Sequence, residues 1–171
     1  HSLFPPKEEV DEVDPDIRVA IIGKPNAGKS SLANVMLGET RTIVSDIPGT
    51  TRDAIDSRLQ NRHGHYVIID TAGLRKKSRI EDSIEKYSMI RTLAAIERAD
   101  VCLILVDAKD GPTEQDTKVA GLAHNAGKAC ILVVNKWDLV EKETGTLERF
   151  RRDVAERFSF MQYAPIEFIS A

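Results

Sequence analysis

Long apolar runs are missing from this chain. None approaches the roughly 20 residues that a membrane-crossing helix needs, so no transmembrane segment and no membrane partner are expected. The start, His1-Ser2-Leu3-Phe4, lacks the basic stretch and apolar core of a secretory signal, and without an initiator Met the pair His1-Ser2 reads as a tag scar. Cysteine is scarce. The two present, Cys102 and Cys130, each sit inside a strand-like apolar run, and no nearby Cys or His has ligand spacing. That pattern argues against a disulfide framework or a zinc site and suits buried, reduced thiols in a cytoplasm. A dominant charge is absent too: 24 basic against 27 acidic residues leave a net −3, too balanced to predict nucleic-acid binding by itself. Internal repeats are not seen. With 42% hydrophobic and 30% charged residues, 171 residues suffice for one globular domain with a full core, expected to be monomeric.

The charge that exists is unevenly placed. Glu8, Glu9, Asp11, Glu12, Asp14 and Asp16 face only Lys7, and with Pro5-Pro6 and Pro15 they make residues 1–15 read as a solvated acidic linker ahead of a domain at 16–171. A short basic run, Arg75-Lys76-Lys77 with Arg79, is either a solvated loop or a contact surface, and both readings stay open.

Within the domain, apolar runs at 17–22, 67–69, 101–106, 129–134 and 166–169 read as strands, separated by segments long enough for helices. Helices are predicted at 29–37, ending at Gly38; at 81–98, where Ile84, Tyr87, Ile90, Arg91, Leu93, Ala94 and Ile96 recur at near-helical spacing; at 113–125; and within 143–158. Residues 51–60 and 66–70, joined around Asn61 to His65, read as an antiparallel hairpin at the sheet edge. The alternation predicts an α/β fold of three layers, a mostly parallel six-stranded sheet with one antiparallel edge strand and helices on both faces.

The segment Gly23-Lys24-Pro25-Asn26-Ala27-Gly28-Lys29-Ser30 joins the first strand to the first helix. Glycines at both ends let the backbone wrap so that successive N–H groups face a β-phosphate. Lys29 adds a positive charge for the β/γ oxygens, and Ser30 can ligate magnesium. Asn26, Ala27, Gly28, Lys29, Ser30 and Ser31 are the expected phosphate-side contacts of a P-loop NTPase. Three later motifs turn this triphosphate site into a guanine site. Asp70-Thr71-Ala72-Gly73 follows a strand; its carboxylate can hold magnesium through water, and the Gly73 N–H can reach a γ-phosphate. In Asn135-Lys136-Trp137-Asp138, Asp138 can accept from both guanine donors, N1–H and the exocyclic amine, which adenine does not offer there. Asn135 can tie neighbouring loops, and the stem of Lys136 can lie on the base. Ser170-Ala171, after the last strand, can offer a backbone N–H to the guanine O6.

The ordered set GKPNAGKS, PGTTRD, DTAG, NKWD and SA resembles the translation-factor-related GTPases of the Era and MnmE kind. The stretches VSDIPGTTRDAIDS, EKYSMIRTLAAIERADV and VVNKWDLV are similar, more narrowly, to the second GTPase domain of the bacterial ribosome-assembly family called Der or EngA. The resemblance covers nearly all of 16–171, and the acidic leader is similar to that family's interdomain linker. It implies a GTP-hydrolysing switch acting in maturation of the large ribosomal subunit and its RNA, with a preceding GTPase domain and a KH-like domain as neighbours. It also implies a C-terminal helix beyond Ala171, missing from this sequence.

For hydrolysis, magnesium is expected on Ser30 and on Thr51, the second threonine of PGTTRD, with Thr50 as the alternative. Many GTPases carry a water-orienting Gln directly after the DxxG glycine, where this chain has Leu74. Slow intrinsic turnover is therefore expected. Two substitutes come from the resemblance: Asn26, a potassium ligand in related proteins, and Glu85, which aligns with a proposed catalytic acid and whose plainer reading is an exposed helical carboxylate. Arg52 and Asp53 are expected to shape the loop. His63, His65 and His124 show no partner spacing and are expected at the surface. A docking module gated by nucleotide, with incidental hydrolysis, is the competing reading; an ATPase is disfavoured by Asp138.

Overall fold

The computed structural model describes residues 16–38, 43–48, 55–75 and 84–171. The expectations for the acidic leader, for Thr50, Thr51, Arg52 and Asp53, and for the basic run beyond Arg75 fall outside them. In chain order the elements are β1 (Ile17–Gly23), α1 (Lys29–Leu37), β2 (Ile43–Pro48), β3 (Ile55–Asn61), β4 (Gly64–Ile68), α2 (Thr71–Arg75), α3 (Ile84–Arg98), β5 (Val101–Asp107), α4 (Glu114–Asn125), β6 (Ala129–Asn135), a 3-10 turn (Trp137–Leu139), α5 (Thr146–Arg157), a second 3-10 turn (Ser159–Met161) and β7 (Ile166–Phe168).

The described strands form one sheet in the order β2-β3-β4-β1-β5-β6-β7. From β4 to β7 every pairing is parallel, and β3 runs antiparallel to both β4 and β2. The mostly parallel sheet with one reversed strand is thus present, with two corrections. It has seven strands rather than six, and the reversed strand β3 is not the edge, because β2 pairs along its whole length from Ile43↔Gln60 to Pro48↔Ile55. Pro48 explains why this strand is hard to read: proline cannot donate to a ladder and is tolerated in a sheet on an outer strand such as this. The β3–β4 hairpin turns at Arg62-His63, closed by the Asn61↔Gly64 pair.

Apolar side chains alternate to the two faces of the central strands and make two cores. One gathers Ala20, Ile22, Ile104, Leu132 and Val134 with Ile96 of α3, Val119 and Ala120 of α4, and Val154, Phe158 and Met161 near α5. The other gathers Val19, Ile21, Leu105 and Val133 with Leu32, Ala33 and Leu37 of α1. Of the α3 residues that recur at near-helical spacing, Ile90 and Leu93 are 59% and 46% exposed while Ile96 is buried. α4 starts at a full capping box, Thr113 accepting from the Asp116 N–H while Asp116 accepts from the Thr113 N–H. Cys102 and Cys130 are both buried free thiols, paired in register across β5 and β6, and burial pushes the Cys102 thiol up to about 12. They are inert packing residues.

Candidate functional site

Five loops leave the carboxyl ends of β1, β4, β5, β6 and β7, and in an open α/β sheet this is the rim where ligands bind. The first carries the phosphate loop. Its backbone reverses through left-handed conformations at Asn26 (φ 69°) and Gly28 (φ 102°), and Gly28 caps α1. A side chain at position 28 is also excluded from outside: a Cβ there would lie 2.1 Å from Nδ2 of Asn135. Lys29 points back along the loop and donates to the carbonyls of Gly23 (2.8 Å) and Lys24 (3.0 Å). Its burial disfavours the charged form and lowers the amine to about 8. Lys24 does not serve the loop's inner side. It reaches Asp110 at 3.2 Å and the buried Asp116 at 4.0 Å, anchoring the loop to the start of α4.

Asn135 joins the phosphate loop to the loop after β7. The side chain is fully buried; Nδ2 donates to the Ala27 carbonyl (3.0 Å), and Oδ1 accepts from the Ala171 N–H (2.9 Å). The expected tie between loops is therefore present at both ends of one amide. Lys136, in a left-handed conformation (φ 66°), donates to the Asn26 carbonyl (2.7 Å) and to Asp107 (3.0 Å). Against a desolvation that alone would raise it, the Lys136 hydrogen bond and charge and the Lys109 N–H hold the Asp107 carboxyl below its ordinary value. Asp138 lies on the 3-10 turn, whose position is fixed by its own N–H donating to Ser170 Oγ (3.0 Å). Ser170 thus contributes through its hydroxyl, a role the sequence reading did not assign. Because Asn135 holds the Ala171 N–H, a base carbonyl would have to exchange that bond to use it.

On the opposite side, Asp70 sits in a left-handed conformation (φ 57°) at the turn into α2. The Gly73 N–H donates to the Asp70 carbonyl (3.1 Å) and reaches Oδ1 at 3.3 Å. The Asp70 N–H donates to Asp56 (2.7 Å), which is itself paired with Arg98. Ser30 donates through its hydroxyl to the Leu74 carbonyl, so the phosphate loop and α2 are in direct contact. Leu74 packs partly buried against the α1-side core. Arg91 of α3 grips both oxygens of Asp70, at 2.5 and 3.0 Å. Ser31 is exposed at the start of α1. Glu85 lies in the first turn of α3, and its side chain is outside the described residues.

Three groups around this site were not read as site residues from the sequence: Asp56, Arg91 and Arg98. Arg91 and Arg98 are seven residues apart on one stripe of α3, a spacing that could have marked a charged seam facing β3 and β4. Of the histidines, His63 and His65 are exposed as expected, whereas His124 meets the Tyr163 hydroxyl at 3.1 Å, a partner 39 residues away that no local spacing reveals.

A mostly parallel sheet with a glycine-framed loop between β1 and α1, and loops of this kind at its carboxyl rim, defines a phosphate-loop nucleoside-triphosphatase fold. Residues 18–136 match the model of the family described as 50S ribosome-binding GTPase. The chain belongs to that family, and it carries a GTPase domain. It is 66% identical over 167 residues to GTPase Der of Acetivibrio thermocellus, covering 97% of this chain and 38% of that protein. It is 60% identical to GTPase Der of Desulfitobacterium hafniense over the same shares. The chain therefore spans about 38% of the length of these curated relatives. Among solved structures, Era in complex with MgGDPNP and a segment of 16S ribosomal RNA superposes with a TM-score of 0.64 at 28% identity, over 90% of this chain and 50% of that one. An Aquifex aeolicus Era variant bound to GDP and AlF4− gives 0.61 at 28% identity, over the same shares.

Proposed function

We propose that residues 16–171 form a GTP-binding and GTP-hydrolysing switch of a ribosome-assembly GTPase acting in large-subunit maturation in the bacterial cytoplasm. Residues 1–15 then link it to a preceding GTPase domain, and a KH-like domain and ribosomal RNA are its further partners. The observation that carries the guanine reading is Asn135: one buried amide binds the phosphate loop through Ala27 and the terminal loop through Ala171, and Ser170 of that same loop receives the Asp138 N–H. Asp138 takes the two guanine donors, Lys136 covers the base with its stem, and Ser170-Ala171 faces O6. The backbone of Asn26, Ala27, Gly28, Lys29, Ser30 and Ser31 surrounds the phosphates, with the Lys29 amine exchanging its two loop carbonyls for phosphate oxygens.

The oxygen donors fit magnesium. A serine hydroxyl and a carboxylate are hard ligands of the kind it takes, and the Ser30 hydroxyl meets, at the Leu74 carbonyl, the same short segment that Asp70 opens. Ser30 and Thr51 would hold the ion directly and Asp70 through water. When bound it neutralises charge on the β- and γ-phosphates. Gly73 would exchange its bond to Asp70 for the γ-phosphate.

The water-orienting role has no side chain in Leu74, which is apolar and packed inward. That observation favours the second reading, a nucleotide-gated docking domain with incidental hydrolysis, unless another charge compensates. Potassium on Asn26 would do so, with Glu85 as the other candidate. Single-turnover hydrolysis of bound GTP in potassium and in sodium at equal ionic strength separates these. Faster turnover in potassium, lost in Asn26→Ala with GDP affinity kept, is expected; slow, equal rates in both salts would favour the docking reading.

A further inference from the structure

Three groups at the contact between the phosphate loop and the Asp70–Leu74 segment are satisfied from within the protein. The Ser30 hydroxyl is bonded to the Leu74 carbonyl, the Gly73 N–H to Asp70, and the Asp70 carboxylate to Arg91. The last contact is the informative one. Arg91 uses Nη2 and Nε on the two carboxylate oxygens in a fork, the strongest geometry open to that pair. Its guanidinium also lies against Gly73, where an added Cβ would come within 2.3 Å of Nη2. The cation of Arg91 therefore sits on the carboxylate and the glycine that are proposed to answer magnesium and the γ-phosphate. Asp70 is mostly covered, with 16% of its side chain exposed, so it draws its counter-charge from few directions.

We propose that Arg91 is a positioning residue that competes with magnesium for Asp70. In the metal-free protein it supplies the positive charge on that carboxylate and latches the Asp70–Leu74 segment against α3. Loading of the metal is opposed by the fork, because a dication placed beside the guanidinium repels it and the water through which Asp70 would meet the ion needs an acceptor site on the same two oxygens. The magnesium requirement of nucleotide retention is then set partly by Arg91. This inference rests on the assignment of Asp70 to magnesium.

Release of a fluorescent GDP analogue, followed across a magnesium titration, tests it without reference to catalysis. In Arg91→Gln the magnesium concentration that half-maximally slows release should fall roughly two- to fivefold, the range an exposed ion pair supports. Arg91→Lys, which keeps the charge and loses the fork, should fall between. Melting curves complete the test: Arg91→Gln should melt below the parent when apo and together with it in saturating magnesium and GDP. An unchanged or higher midpoint in Arg91→Gln, or an equal loss of melting temperature in both states, overturns the proposal. Asp70→Asn serves as the reference. If it leaves the magnesium response intact, the assignment of Asp70 itself fails; if it flattens the response while Arg91→Gln matches the parent, only the competition fails.

Discussion

Lys29 illustrates how a single residue can be readied for its ligand. Burial lowers its amine to about 8, and the two loop carbonyls that receive it are neutral acceptors. A phosphate would restore the charged form, so nucleotide binding above pH 8 should take up a proton. Calorimetry of GDP binding at pH 8.5 in two buffers of different ionisation heat should show a buffer-dependent enthalpy and weaker affinity than at pH 7; identical enthalpies would contradict this. The same depressed pKa has a sign for folding. Between about 8 and the ordinary value near 10.4 the unfolded chain binds the extra proton, so this group's contribution to stability rises with pH across that window. Asp138 carries the base preference. Asp138→Asn removes the charged acceptor from two donors, each worth about 1.5–3 kcal/mol, and should weaken GDP binding by orders of magnitude while favouring xanthine nucleotides. A parent-like GDP affinity in that variant would mean the base lies elsewhere.

At the scale of elements, the site is a set of strand ends wired together by buried polar groups. Asn135→Ala should leave the Ala27 carbonyl and the Ala171 N–H without their partner, at about 1–3 kcal/mol, and should both lower the melting temperature and weaken GDP binding. A fall in one without the other would show that the tie serves only the fold or only the ligand. How much of this was readable follows the same division. The phosphate loop, Asp70, Asn135 and Asp138 stand out because each is a polar residue held at a fixed offset from an apolar strand, where local spacing carries the signal. β2 did not stand out, because Ile43 to Pro48 is short, mixed in polarity and ends in proline. Spacing alone does not single out the inward face of α3, because exposed Ile90 and Leu93 share the spacing of buried Ile96. Arg91, Arg98 and Asp56 act only through contacts between elements distant in the chain, and so does the His124–Tyr163 pair.

For the molecule as a whole, two cores clamp a sheet whose rim carries the proposed ligand groups at 26–31, 70–73, 135–138 and 170–171, so nucleotide and folding are linked. GDP at 100 times its dissociation constant should stabilise the fold by about 2.7 kcal/mol, visible as a raised melting temperature that ATP does not reproduce. As proposed, the rim is a guanine site and not a general triphosphate site. Displacement of a fluorescent GDP analogue by unlabelled GTP and by ATP, in magnesium, tests it most directly. GTP should displace the probe at concentrations lower by orders of magnitude, with ATP ineffective; displacement by ATP at concentrations matching GTP would contradict the account.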